Sequence, residues 1–541
     1  MNYADLFRAT LPETALEIAA LLVIVVDLGF LRRATLKTRV AVAALVGVAG
    51  CAAAIWAVYA AGRNGFYYID ANLPLAVRGP APVVQIWTPL LNAWGSAPVA
   101  QIAILVLTAL TLLLFIDSKF TRNPGEYIAV VLMAAAGGLI ISAAQDLLVI
   151  FVGLELLSLG LYILTAFAKK SEKSAEAAMK YYLFGGMSAA FLLFGFSYFY
   201  GLTGTTSLVG IQEAVFRSGP TPLFYVAWIL VVAGLGFKVA AVPFHLWAPD
   251  AYEGAPAPAA AFIASVSKVA SFALLLTFFG GDSFISLPRD LNENELDRLF
   301  SNYLASWTHV IEVMLLVAVA SMVLGNLAAL AQSSLRRLLA YSAIAHAGYI
   351  LLGVCQLPHS TSLPFSEHQV VGIAAILHTV IAHDTPILYY ILTYGLTTIG
   401  AFGVVGVVER ATGSDKLDSF LGLNKRNPLL AAVLAVLFLS LAGIPPLVGF
   451  WAKFNLFAAV LAVGAGPIPF ALVALAIAFS AVSLYYYLQV LKRAYVVPAA
   501  DEAPIKAHPV TLATLLLIAA AVVVLGCFPS LLQNWIASFY A

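Results

Sequence analysis

Residues 221–270 read TPLFYVAWILVVAGLGFKVAAVPFHLWAPDAYEGAPAPAAAFIASVSKVA. An apolar run long enough to cross a bilayer carries Lys238, and Pro243 follows five residues later. His245, Trp247, Pro249, Asp250 and Glu253 come next, then a second apolar run that carries Lys268. A proline inside a helix lacks a donor and clashes with the carbonyl four residues back, here that of Val239. The helix is therefore expected to break just past Lys238. Irregular backbone at membrane depth persists only inside protein or beside a water-filled cavity, and a lysine there is by default functional. The competing reading is a snorkelling side chain, because Lys238 lies about 16 residues, or roughly 24 Å, into its run. Two lysines 30 residues apart around a proline break favour function.

Working outward, 62% of the 541 residues are apolar and 10% are charged, far below the roughly 25% charged of soluble domains. The sequence predicts an all-α polytopic membrane protein. A net charge of +1 provides no basic footprint for nucleic acid. Cys51, Cys355 and Cys527 all sit in apolar runs and form neither a disulfide framework nor a paired metal spacing. The first apolar run, about 14–31, has no small-residue cleavage pattern behind it and is expected to be a retained helix.

Runs of 18–25 apolar residues read as membrane helices. Fourteen are predicted: 14–31, 39–62, 97–117, 126–144, 146–168, 179–202, 222–249 (broken), 256–279, 305–331, 337–356, 384–409, 428–461 (broken), 467–491 and 509–528. With the N-terminus outside, nineteen of the 28 Lys and Arg fall in inside loops and six outside, as the positive-inside rule requires. The remaining three are Lys238, Lys268 and Lys453, all within helices. Both termini are thus expected outside. Two outside loops are longer, 63–96 and 357–383; the second holds His359, His368, His378 and His383, whose spacing matches no metal motif.

The second broken segment, residues 437–457, reads LFLSLAGIPPLVGFWAKFNLF. Pro445 and Pro446 free the carbonyls of Leu441 and Ala442, and Lys453 follows. The lysine precedes the break in one case and follows it in the other. Paired interrupted segments of this kind point to an inverted repeat around a transport pathway. The expected organisation is 1–125 (three N-terminal helices), 126–279 (first repeat), 305–491 (second repeat) and 492–541 (last helix).

Glu155, in QDLLVIFVGLELLSLGLYILTAF (residues 145–167), is roughly 13 Å past Asp146 at helical rise, near midplane. A lone buried carboxylate is neutralised or paired, and its natural partner is Lys238. Burial disfavours charge on both while mutual attraction favours it, so the pair is poised to exchange a proton. The alternative is a structural ion pair, although such pairs stabilise poorly compared with apolar replacements. Glu155, Lys238, Lys268 and Lys453 would form a polar axis. His245 and His346 are candidate relays; for His346 a satisfied core histidine is an equal reading.

The stretches GLGFKVAAVPFHLWAPDAYEGAPAP (234–258), SVSKVASF (265–272), SSLRRLLAYSAIAHAGYIL (333–351) and LAGIPPLVGFWAKF (441–454) resemble the antiporter-like membrane subunits of proton-translocating NADH–quinone oxidoreductase, respiratory complex I. Within them the chain is similar to the subunit N group, equivalent to mitochondrial subunit 2. The resemblance covers nearly the whole chain except 357–383. It implies that Glu155 is the fifth-helix glutamate, Lys238 the broken-helix lysine, Lys268 the central lysine and Lys453 the distal one. It implies a bacterial inner-membrane protein that couples electron transfer from NADH to quinone to proton pumping, working with other complex I membrane subunits in the lipid bilayer. Because the chain stops soon after its last helix, it is expected to lack the long lateral helix of the largest sibling. No GxGxxG, P-loop or cysteine cluster is present, so FMN and iron–sulfur clusters are expected on partner subunits. A cation/proton antiporter subunit or a membrane-bound hydrogenase subunit of the same fold is the alternative, and a scaffold with vestigial charges is a third.

Overall fold

The computed structural model describes residues 10–63, 91, 95–279, 293–356, 373–463, 466–499 and 503–540. Among them the ordered elements are helices, with three isolated β-bridges and no strand. In chain order they are α1 (Leu11–Val25, continued by a π turn Val26–Phe30), α2 (Leu36–Arg63), α3 (Ser96–Phe115), α4 (Pro124–Ala143), α5 (Leu147–Thr165), α6 (Glu172–Thr203), α7 (Leu208–Ser218), α8 (Pro222–Lys238), α9 (Trp247–Gly254) and α10 (Ala257–Phe279). Then come α11 (Glu293–Leu330), α12 (Leu335–Val354), α13 (Ile373–Thr412), α14 (Leu423–Arg426), α15 (Pro428–Ala442), α16 (Val448–Val463), α17 (Pro467–Tyr495), α18 (Pro509–Cys527) and α19 (Pro529–Ala537). Among the described residues, eleven helices are long and apolar enough to cross a membrane. The α1 rod and the two interrupted segments account for the other expected spans.

The sequence marks many starts directly. Proline occupies the first helical position of α4, α8, α15, α17, α18 and α19, where its missing N–H costs nothing. Asp146, Ser171, Thr221, Ser334 and Asn427 cap the helices that follow them, satisfying donors that lipid cannot. Three elements lie outside the expected runs, α7, α14 and α19. α7 and α19 are too short to span and lie as surface helices. The expected loop 357–383 is also shorter, since α13 begins at Ile373; His359 and His368 fall outside the described residues.

α10 sits at the centre. Pro258–Phe279 are all buried, as expected of a helix that is apolar on every side. It packs against α3, α4 and α13. α5, α6 and α17 instead show apolar flanks, among them Leu148, Val152, Met179, Phe194 and Ile477, the surface of a chain bathed in lipid or neighbours.

One local device occurs twice. Asp146 bridges Ser207 and Ser334 bridges Lys416, each as an antiparallel pair. In the first, the Thr206 hydroxyl donates to Asp146 at 2.5 Å; in the second, Ser334 donates to Asp415. The two lie at opposite ends of the bundle. The far end of α5 meets α6 through Ser174 Oγ donating to the Thr165 carbonyl, 2.6 Å. There Lys173 and Arg337 both reach Glu253 at 3.1 Å, and this is the face where the expected inside loops place most lysine and arginine.

Candidate functional site

α8 ends at Lys238 and the chain resumes as α9 at Trp247. Ala240 enters the left-handed region at φ 57°, a cost of roughly 1–2 kcal/mol for a non-glycine. The Ala241 N–H donates back to the Gly236 carbonyl at 2.8 Å, and Val242 N–H donates to Ser321 Oγ at 2.8 Å. The Trp247 ring stacks on Tyr181 with centroids 4.2 Å apart, while its Nε1–H donates to the Phe237 carbonyl at 2.9 Å. The break is thus held by side chains from α6 and α11, not left loose.

The carbonyl that Pro243 frees is satisfied by a lysine. Lys268 Nζ donates to the Val239 carbonyl at 2.8 Å and to the Ala343 carbonyl at 2.9 Å. The second break repeats the arrangement. Lys453 Nζ donates to the carbonyls of Leu441 (3.1 Å) and Ala442 (3.0 Å), and to Ser480 Oγ at 2.8 Å. These are the carbonyls released by Pro445 and Pro446. Gly443, at φ 89°, turns the chain there, and its bare α-carbon lies against the Lys453 stem.

Lys238 differs from the expected arrangement. It forms no ion pair with Glu155; its Nζ donates to Ser158 Oγ at 2.6 Å. Glu155 stands one turn before Ser158 on α5 and is half-buried. The serine's position one turn along the glutamate's face was a readable signal, because residues three apart share a helix face.

α12 runs between Lys268 and Lys453. Its Ala343 carbonyl holds Lys268. One turn on, His346 Nδ1 bonds Tyr390 Oη at 2.7 Å. The next turn brings Tyr349, whose ring centroid lies 5.5 Å from Lys453 Nζ. His346 is buried and, among the described residues, its Nε2 has no hydrogen-bond partner. The contacts therefore run from Ser158 to Lys238, through the adjacent Val239 to Lys268, and along α12 to Lys453. Lys238, Lys268 and Lys453 are all buried. His245 is buried in the first break, its Nδ1 unpartnered among the described residues, and its side chain bonds none of the other five. Ser480 and Tyr390 were missed by the sequence reading; neither residue carries a local signal that would separate it from its apolar helix.

On the Lys173 face, α9 is clasped from both sides. Asp250 binds Lys180 at 2.9 Å and Arg337 at 2.7 Å; Glu253 binds Lys173 and Arg337. Burial pushes both carboxyls up, but the flanking cations outweigh it and hold each below its ordinary value. Arg336 donates to the carbonyls of Glu253 and Ala255 and pairs with Glu409. Beside this clasp a cavity of about 620 Å³ opens, reaching Pro256, Ala257 and Ala261 at the start of α10.

The chain matches the family model of NADH:quinone oxidoreductase/Mrp antiporter membrane domains over residues 144–286, 296–362 and 366–480. It is 45% identical to NADH-quinone oxidoreductase subunit N 2 of Acidobacterium capsulatum over 99% of both chains. It superposes on a chain of respiratory complex I from Thermus thermophilus with bound aureothin at TM-score 0.71 and 29% identity, covering 97% of this chain and 98% of that one. A chain of an archaeal membrane-bound sulfane sulfur reductase shares the fold at TM-score 0.75 and 23% identity, over 98% and 97%. By sequence and by structure the chain belongs to the subunit N family of NADH-quinone oxidoreductase.

Proposed function

We propose that this chain translocates protons as a membrane subunit of NADH–quinone oxidoreductase, along the buried polar contacts from Glu155 to Lys453. The observation that carries the reading is the placement of Lys268, which touches the first break and, through α12, the path to the second. Protonation changes at Glu155 act on Lys238 through Ser158 and through space. Lys268 then passes charge between the halves, with His346 as the relay, and Lys453 is the last lysine. Moving one charge against 100 mV takes about 2.3 kcal/mol, which quinone reduction elsewhere in the complex must supply.

The flavin and iron–sulfur centres reside on partner subunits, and the chain sits in a bacterial inner membrane with both termini periplasmic. The basic clasp face is then cytoplasmic, and the cavity beside it is the inlet toward α10. The twofold bridge device at opposite faces supports two inverted repeats, 126–279 and 305–491, between the N-terminal helices and the last one.

Lys238→Ala in the assembled complex tests this. Proton pumping coupled to quinone reduction is expected to fall; full pumping would leave the chain a scaffold. Purification of the native complex separates the antiporter reading. Flavin-bearing partners and NADH-dependent quinone reduction support the proposal, and sodium-dependent activity without redox partners contradicts it.

A further inference from the structure

A second buried titratable cluster lies at the far end of α13, away from the clasp face. His383 Nδ1 bonds Asp384 Oδ1 at 2.8 Å, and Tyr540 Oη donates to Asp384 Oδ2 at 2.9 Å. Asp384 and Tyr540 are 1% exposed and His383 is 9% exposed. Among the described residues, the outer His383 Nε2 has no hydrogen-bond partner, and neither does Gln356 Nε2. Gln356 belongs to the same place. Gly353 stands against Ile387, and His346 against Tyr394 with ring centroids 5.0 Å apart. These contacts fix the antiparallel register of α12 and α13, and that register sets Gln356 opposite Asp384.

The cluster lines up with the polar chain. Tyr390, which bonds His346, is seven residues from His383 on α13. Ile387 falls between them, so Tyr390, Ile387 and His383 share one face over roughly 10 Å. At that level Leu456 of α16 and Ile387 both converge on the bare α-carbon of Gly353, and both are fully buried. A polar chain thus ends at a thin apolar layer, and a buried histidine–carboxylate–tyrosine group begins on the other side. Apolar constrictions block ion and water passage until they open.

We propose that His383 and Asp384 form the release-side proton acceptor of this chain, and that Ile387 and Leu456 are the plug separating it from Lys453. This rests on the function proposed above. The proton leaving Lys453, one turn from Leu456 on α16, passes the plug when it opens, is taken up by the His383–Asp384 pair, and is given to the solvent on the side opposite the basic clasp. Tyr540 only orients Asp384.

The test uses the assembled complex in proteoliposomes, with assembly checked on native gels. Proton uptake per NADH and NADH oxidation are measured for Asp384→Asn, His383→Gln, Tyr540→Phe and Ile387→Ala, with Lys453→Leu as reference. Asp384→Asn and His383→Gln are expected to slow coupled turnover by about tenfold or more, and added formate should restore part of it. Ile387→Ala is expected to keep NADH oxidation while retaining fewer protons per NADH. Tyr540→Phe keeps both proton-carrying groups and should lie within about twofold of wild type, since only an orienting contact is lost. Wild-type turnover in Asp384→Asn and His383→Gln, with Lys453→Leu impaired, overturns the release assignment alone. Wild-type turnover in Lys453→Leu as well overturns the underlying function. A loss in Tyr540→Phe as deep as in Asp384→Asn, unrescued by formate, makes the cluster a structural tether and also overturns the proposal.

Discussion

A lysine that gives up its proton keeps two N–H donors and gains a lone pair. Lys268 makes two hydrogen bonds, both to backbone carbonyls, so neither is lost when it is neutral. Lys453 makes three, the third to the Ser480 hydroxyl. The Ser480 hydroxyl can reverse and donate to the neutral amine, whereas Ser158 beside Lys238 already donates to the Leu154 carbonyl. The Lys268 and Lys453 sites thus hold either protonation state without abandoning a buried carbonyl, whose desolvation would cost about 1–3 kcal/mol. Ser480→Ala removes that reversal and is expected to slow coupled turnover roughly tenfold, or about 1.4 kcal/mol, in a stopped-flow NADH assay. Ser480→Thr, which keeps the hydroxyl, should recover most of the rate. An unchanged rate in Ser480→Ala would show that the hydroxyl has no part.

At the scale of elements, the breaks carry the proposed path and their geometry is tight. A Cβ on Gly449 would sit 1.9 Å from the Ser440 carbonyl oxygen, and the Gly449 N–H donates to Ser440 Oγ at 3.1 Å. Gly449→Ala is therefore expected to cost about 3 kcal/mol or more, above ordinary overpacking, read as loss of assembled complex on native gels. Normal assembly would mean the second break has room to spare. On α5, a Cβ at Gly185 of the neighbouring α6 would meet Tyr162 Oη at 1.8 Å. Gly185→Ala should displace Tyr162 and lower thermal stability by about 1–3 kcal/mol, seen as a lower unfolding midpoint. The breaks were the most legible part of the sequence. Pro243 marked the Val239 carbonyl, and Pro445 and Pro446 marked those of Leu441 and Ala442. What the sequence could not tell was which lysine would reach them. The nearby lysine does so at the second break; at the first, Lys268 arrives from the next helix and Lys238 turns to Ser158. That choice depends on how α8, α10 and α12 rotate against one another, which apolar faces on every side leave unspecified.

Across the whole molecule, basic side chains link residues 126–279 to residues 305–491 at two levels, Lys268 in the interior and Arg336 and Arg337 at the basic face. The second link is titratable. Asp250 and Glu253 are held below their ordinary range by Lys173, Lys180 and Arg337. A carboxylate with a lowered folded value adds stability above its unfolded value, and that stability disappears as pH falls through the folded one. The clasp should therefore hold above about pH 4 and weaken below it. Asp250→Asn is expected to flatten the acid-side decline of the unfolding midpoint; an unaltered decline would place the acid-sensitive contacts elsewhere. Helix number and order were readable because bilayer thickness constrains them directly. α7 and α19 were not, being short surface helices without a spanning run. The central claim is that protons cross between the halves at Lys268. The direct measurement is protons pumped per NADH by the assembled complex carrying Lys268→Leu. A marked fall with assembly preserved is predicted, whereas wild-type pumping and wild-type turnover would contradict the account.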